Sequence, residues 1–251
     1  MVNQFSRTEL VFGTDGVKTL HQKTVAVLGA GGVGSFAMEA LARSGIGQLI
    51  LIDKDTVDIT NVNRQLPALT TTVGHPKVDV MKERIHAINP ECTVIAKKVF
   101  FTQENEDELF GFDSLDYVVD AIDVVSAKIH LIQSCVKRNI PIVSSMGAAN
   151  KLDPTRFRVM DLADTKVDPI AKVLRRELKK LGIAKGVKTV CSDEPPREPL
   201  ENVRRDIVPE EKTDSKIRKE KMPPASTAYV PSVAGLILAS VVIHDLLGIE
   251  L

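Results

Sequence analysis

Short apolar runs alternate with stretches of helical period over the first 150 residues. Thr24–Leu28 and Gln48–Ile52 are continuous apolar runs of strand length, the pattern of strands covered on both faces. Residues 92–99, 117–120 and 140–144 predict three further strands. Between them, 33–44, 77–88 and 125–138 carry helical spacing, with Gly45 stopping the first helix and Asn89-Pro90 the second. Strands that alternate with helices require parallel crossovers. The expected fold is therefore α/β, a Rossmann-like doubly wound, mostly parallel sheet.

After residue 165 the pattern changes. Asp168-Pro169 is a helix start, and Ile170, Val173, Leu174, Leu178 and Leu181 follow at helical spacing, with Gly182 ending the element. Residues 191–224 hold six prolines and dense mixed charge, which predicts a mobile excursion. The apolar run from Val230 to Leu247 is interrupted by Pro231, Ser232, Ser240, His244 and Asp245. It falls short of the roughly 20 apolar residues of an unbroken span, so it is read as a packing helix. The expectation is one domain over 1–251. Residues 1–165 form a nucleotide-binding core, 166–224 a C-terminal extension that is basic helical and then flexible, and 225–251 the packing helix.

Composition narrows the function. Lys+Arg and Asp+Glu are both 33, so no global basicity announces nucleic acid; aromatics are 4% with no Trp, against a base-stacking platform. Cys92, Cys135 and Cys191 are far apart and form no CxxC, which excludes a disulfide framework or a four-cysteine zinc site within one chain and suits a reducing, cytoplasmic setting. The first residues have no apolar core, so no secretory leader is expected.

Gly29-Ala-Gly31-Gly32-Val-Gly34 fits GxGxxG between a strand and a helix, and Asp53 ends the next strand 19 residues on. Such a turn lets phosphate approach backbone N–H groups, and the acid suits a ribose hydroxyl. NAD, FAD, S-adenosylmethionine and ATP all use this arrangement. The residues after Asp53 separate them. A dinucleotide site needs no further cations, whereas Arg64 and Lys77 suit a triphosphate whose pyrophosphate departs. Asp120-Ala-Ile-Asp123 places carboxylates at a strand's carboxyl end, where one can hold Mg²⁺. Ser144 and Ser145 end the fifth predicted strand near this cleft, either to position substrate or to allow close packing.

Gly29-Ala-Gly-Gly-Val-Gly-Ser35, Asp53-Lys-Asp55, Asn61-Val-Asn-Arg-Gln65, Gly74-His-Pro-Lys77 and Asp120-Ala-Ile-Asp123 together resemble the ThiF/MoeB/HesA superfamily, adenylating enzymes related to ubiquitin-activating enzyme. Residues 140–149, Asp153-Pro-Thr-Arg156 and Asp168-Pro169 look most like its tRNA threonylcarbamoyladenosine dehydratase branch. The resemblance implies ATP-dependent activation of the carboxylate of N6-threonylcarbamoyladenosine, beside the tRNA anticodon, followed by cyclisation with loss of AMP. Internal attack needs no catalytic thiol. Carried over residue by residue, it implies that Gly29, Gly31, Gly32 and Gly34 line the phosphates and that Asp53 holds the ribose beside Asp55. Asn61, Arg64, Gln65 and Lys77 contact the triphosphate, and Asp123 coordinates Mg²⁺. Arg7 matches the arginine that reaches the partner subunit's site, so a homodimer is implied.

The chain also departs from the superfamily. Its sulfur-carrier adenylyltransferases typically carry two CxxC pairs, absent here, which counts against activation of a ubiquitin-like protein, the alternative enzymatic reading. Cys191 falls within the expected excursion and is read as incidental. A redox or nucleotide-sensing Rossmann module is the third reading, and Arg64 and Lys77 count against it. From Lys172 to Lys188 seven basic residues (Lys172, Arg175, Arg176, Lys179, Lys180, Lys185, Lys188) face Glu177 alone; Arg204-Arg205 and Lys216-Ile-Arg-Lys219 add further clusters. Such a stripe can neutralise RNA phosphates without reading sequence.

Overall fold

The structure, a computed structural model, describes residues 2–107, 115–200, 203 and 224–250. The order is α1 (Ser6–His21), β1 (Thr24–Leu28), α2 (Gly34–Arg43), β2 (Gln48–Ile52), α3 (Lys77–Ile88), β3 (Thr93–Lys97), β4 (Tyr117–Asp120), α4 (Val125–Arg138), β5 (Ile142–Ser145), β6 (Phe157–Asp161), α5 (Pro169–Lys180), β7 (Lys188–Ser192) and α6 (Tyr229–Leu247). The strands form one seven-stranded sheet in the order β3-β2-β1-β4-β5-β7-β6. All neighbours are parallel except the edge strand β6, which runs antiparallel to β7. The order reverses between β1 and β4, and open α/β sheets bind ligands at that switch, beyond the carboxyl ends of the strands.

The continuous apolar strands divide their side chains between two cores, as the two-residue strand period requires. Val25, Val27, Leu49, Leu51 and Val119 face α2, α3 and α6, where Met38, Leu41, Met81, Ile85 and Leu238 are buried. Ala26, Leu28, Ile50 and Val118 face α4 and α5, where Leu131, Ile132, Leu174 and Leu178 are buried. Each such side chain contributes about 1.5–3 kcal/mol, so both faces hold the sheet rigid beneath the crevice. Asp168 caps α5 through the N–H groups of Ile170 and Ala171, with Pro169 in the first turn. Helix α6 is long and apolar enough to cross a membrane by length and composition. It instead packs inside this structure, with Val230, Ala234, Leu238, Ala239, Val241 and Val242 buried against the first core.

Three expectations need correction. The excursion does not begin at 191: Cys191 and Ser192 complete β7, paired with Phe157 and Arg158, and the core sheet thus extends beyond residue 165. The basic stretch is not one helical face. Helix α5 ends at Lys180, and Lys188 sits in β7 with its ammonium 2.7 Å from Asp245 Oδ1. Arg175 donates to Thr165 Oγ1, and Arg176 and Lys180 both pair with Glu177. The clusters Arg204-Arg205 and Lys216–Lys219 lie outside the described residues.

Helix α1 is kinked at Gly13 (φ 75°). The fold-back brings the buried Phe5 ring edge-on to His21 at 5.1 Å. His21 lies next to the start of β1, so Arg7 is held near the amino edge of the sheet. Five-residue strands at about 3.3 Å per residue put roughly 16 Å between that edge and the crevice.

Candidate active site

The glycine turn joins β1 to α2 at the switch point. Gly29 has φ 96°, and a β-carbon there would stand 2.5 Å from the Ala121 carbonyl oxygen. At Gly34 a β-carbon would stand 1.8 Å from the Gly29 carbonyl oxygen. The turn therefore closes only with hydrogen at both positions, wedged against the chain that leaves β4. Gly31 and Gly32 face the segment after β2: a β-carbon on Gly31 would meet Gln65 Nε2 at 3.9 Å, and one on Gly32 would meet Arg64 Cγ at 3.3 Å. Residues more than 30 positions apart thus converge on one turn.

Asp53 ends β2 with its carboxylate turned into this corner. Oδ2 accepts from Ala30 N at 2.6 Å and Oδ1 from Asp55 N at 2.8 Å. Burial pushes its pKa up, against those two hydrogen bonds and the nearby Lys77 ammonium. Lys77, at the first position of α3, is buried, and its ammonium lies 3.1 Å from Asp55 Oδ2. Asp58 caps the turn 59–61 through Thr60 N, and Asn61 Oδ1 accepts from Asp58 N in return. The Asn61 carbonyl then accepts from Arg64 N and Gln65 N. Asn61 is thereby given a turn-holding role: it aims the Arg64 and Gln65 side chains at the glycines.

Arg64 Nη1 donates to Thr60 O at 2.9 Å and Asn63 Oδ1 at 2.7 Å, and burial lowers the guanidinium's pKa. A half-buried guanidinium so placed carries several donors that can turn to an anion. Gln65 is 9% exposed, and its buried Oε1 has no hydrogen-bond partner. Buried amide oxygens are normally satisfied, so this one marks a corner shaped for a donor. Asp123, beyond β4, is exposed on the same side of the sheet.

Ser144 does not face the cleft. It is fully buried and donates to Asp120 Oδ2 at 2.6 Å; the equally buried Lys128 ammonium lies 2.9 Å from the same oxygen. This cluster escaped the sequence reading, although one signal existed. Lys128 occupies the apolar stripe of α4 with Leu131, Ile132 and Cys135, and a lysine there needs a buried anion. A second missed cluster, Lys151 with Asp168 and Glu194, ties the chain after β5 to α5: Lys151 Nζ donates to Glu194 O, and Asp168 Oδ2 accepts from Gly147 N.

All three cysteines are free and buried. Burial raises every thiol, Cys92 to about 11 and Cys191 to about 12, with the Asp168 charge adding to the second; Cys135 moves in the same direction. A cavity of about 690 Å³ opens at the opposite edge of the sheet, lined by Tyr117, Lys188 and Asp245. Its polar groups are engaged with one another: Tyr117 Oη and Lys188 Nζ both donate to Asp245. The chemistry-bearing side chains are at the switch point instead.

The ThiF family model matches residues 5–251. The chain is 60% identical over 247 residues to a tRNA threonylcarbamoyladenosine dehydratase of Bacillus subtilis (strain 168), covering 98% of this chain and 96% of that protein. It is 44% identical over 186 residues to the Escherichia coli (strain K12) protein of the same name, covering 74% and 69%. The crystal structure of E. coli tRNA N6-threonylcarbamoyladenosine dehydratase, TcdA, in complex with ATP superposes with a TM-score of 0.85 at 36% identity, over 98% of this chain and 94% of that one.

Proposed function

The chain belongs to the ThiF family, and from that premise we propose that it is an ATP-dependent tRNA threonylcarbamoyladenosine dehydratase. One observation carries the chemistry. Two cations, Arg64 against Gly32 and Lys77 on the Asp53–Asp55 side, flank a phosphate-binding turn in a chain whose three thiols are all buried.

The nucleotide lies with its ribose on Asp53 and its phosphates over Gly29–Gly34, where the α2 amino end offers backbone N–H groups. The β-carbon-free cradle at Gly29 and Gly34 fits such a guest. Asp123 would hold Mg²⁺ together with phosphate oxygens, an ordinary arrangement for an ion that keeps few protein ligands; the ion would neutralise phosphate charge. A carboxylate oxygen of the threonylcarbamoyl group attacks the α-phosphorus. Pyrophosphate leaves, its charge met by Arg64 and Lys77. An atom of the same threonylcarbamoyl group then attacks the activated carbonyl carbon and displaces AMP, which carries away one carboxylate oxygen. The substrate loses one water overall, and ATP becomes AMP and pyrophosphate. Mass spectrometry of tRNA incubated with enzyme, ATP and Mg²⁺ should show that loss on the threonylcarbamoyl nucleoside. An unchanged nucleoside mass would reject the reaction.

No thiol relay is needed. With its thiol near 12, Cys191 is thiolate in about one molecule per 10⁴ or fewer at neutral pH. Cys191→Ala should therefore turn over within about twofold of the parent; a collapse in turnover with the fold intact would bring a covalent thioester back.

Arg7 is exposed at the amino edge, out of reach of its own crevice. Beside it Leu10 is 86% and Val11 75% exposed, an apolar surface for a helix to leave open. Both features support a homodimer in which Arg7 enters the partner's site. For RNA, the exposed lysines Lys172, Lys179 and Lys185 remain after Arg175 and Lys188 are assigned to the protein's own contacts and Arg176 and Lys180 to Glu177. Reversing those three charges should weaken tRNA binding and lower its salt slope by about one per lost phosphate contact. An unchanged slope would remove α5 from the RNA surface. The cytoplasm, where tRNA is found, is the fitting compartment.

A further inference from the structure

The chain leaves β4 through a turn that serves two sites at once. Ala121 N donates to Leu28 O at 2.9 Å, extending the β1 pairing, and the Ala121 carbonyl closes on Gly29. Asp123 follows two residues later. What bends the chain there is Asp120: Oδ1 accepts from Ile122 N at 3.1 Å, while Oδ2 takes the Lys128 ammonium at 2.9 Å and the Ser144 hydroxyl at 2.6 Å. Lys128 Nζ also donates to Ser144 Oγ at 3.3 Å. Lys128 and Asp120 are 1% and 0% exposed, so neither touches a ligand.

An ion pair this deep is an expensive way to fill space. Hydrophobic residues of the same volume would hold the strand and helix together as well or better. Its geometry does something they could not. It fixes the rotation of the Asp120 carboxylate, and with it the backbone between the glycine turn and Asp123. We infer that Lys128 and Ser144 are positioning residues, which act through Asp120 to set the Asp123 carboxylate against the phosphates of the nucleotide. This inference rests on the proposed ATP and divalent-cation site.

The test is the neutral pair Asp120→Asn with Lys128→Met, which leaves no unpaired buried charge. It should fold with a melting temperature equal to or above that of the parent. Its affinity for metal-free ATP should fall by a smaller factor than its affinity for Mn²⁺, because Asp53, Arg64 and the glycines themselves are unchanged. Its affinity for Mn²⁺ in the presence of ATP, read by electron paramagnetic resonance, should fall about tenfold. Turnover to AMP should fall about tenfold or more at saturating ATP, with KM for ATP nearly constant. A folded variant with parental Mn²⁺ affinity and turnover would overturn the inference, leaving the cluster a packing feature. If the double variant does not fold, Ser144→Ala decides. Loss of one hydroxyl contact should weaken Mn²⁺ binding about threefold, and an unchanged affinity would overturn the inference equally. A parent protein that binds no Mn²⁺ beside ATP would instead remove the site on which the inference rests.

Discussion

Arg64→Ala is expected to reduce AMP formation by about 10²–10³-fold, the cost of removing one preorganised donor from developing charge. The guanidinium is held by Thr60 O and Asn63 Oδ1 and is partly stripped of water, while the Arg64 stem lies against Gly32. Pre-positioned cations of this kind act where charge builds as pyrophosphate leaves, so kcat should fall more than the affinity for ATP. The fold should survive, because the reciprocal Asp58 and Asn61 bonds still secure the turn that carries Arg64 when the arginine's own bonds to Thr60 O and Asn63 Oδ1 are lost. Single-turnover AMP release, with circular dichroism as the control for folding, checks this. Turnover within about threefold of the parent would remove Arg64 from the phosphate site.

Gly34→Ala should be among the most damaging methyl groups that can be added to the described residues, and it falls in the phosphate-binding turn itself. Its β-carbon would stand 1.8 Å from the Gly29 carbonyl oxygen and 3.1 Å from Ala121 Cβ. Neither neighbour is the end of a flexible side chain, so strand, turn and helix must part. Overpacking against backbone costs roughly 1–3 kcal/mol or more, which lowers the melting temperature by about 2–12 °C or more in a domain of this size. The parted turn no longer presents its N–H groups to phosphate, so ATP binding should be lost below the melting temperature as well. A variant that melts like the parent and still binds ATP would show that the turn is looser than the structure places it.

The parts of the fold that could be read in advance are those with one strong local cause. Thr24–Leu28, Gln48–Ile52 and Tyr117–Asp120 lie where their apolar runs put them, because a strand buried on both faces tolerates no polar interruption. Helices α3 and α4 match residue for residue, ended by Asn89-Pro90 and by the left-handed Asn139. Strands β6 and β7 were not legible. In β6 the outer positions Arg158 and Val159 are exposed at the sheet edge, so the run carries no clean period. The end of β7 is followed by Pro195, Pro196 and Pro199, which drew Cys191 into an expected loop although it pairs with Arg158.

The site divides along similar lines. The glycines, Asp53, Arg64, Gln65 and Lys77 announce themselves by spacing, and the structure brings them to one corner. Asn61 was expected on the triphosphate; its side-chain oxygen and its carbonyl hold the turn, a second role the spacing did not announce, and a phosphate contact would fall to its Nδ2 amide. The partners of Asp120 come from 8 and 24 residues further along the chain, on a helix and a different strand. No motif spacing exposes such a contact. Only the physical demand that a buried lysine meet an anion points to it.

On the proposed route a carboxylate of the modified nucleoside is joined to the α-phosphorus of ATP before the ring closes. Substrate tRNA carrying ¹⁸O in both carboxylate oxygens of the threonylcarbamoyl group tests it in one experiment. One ¹⁸O atom is expected in each AMP released and one in the cyclised nucleoside. AMP free of label, or cyclisation without AMP, would contradict it.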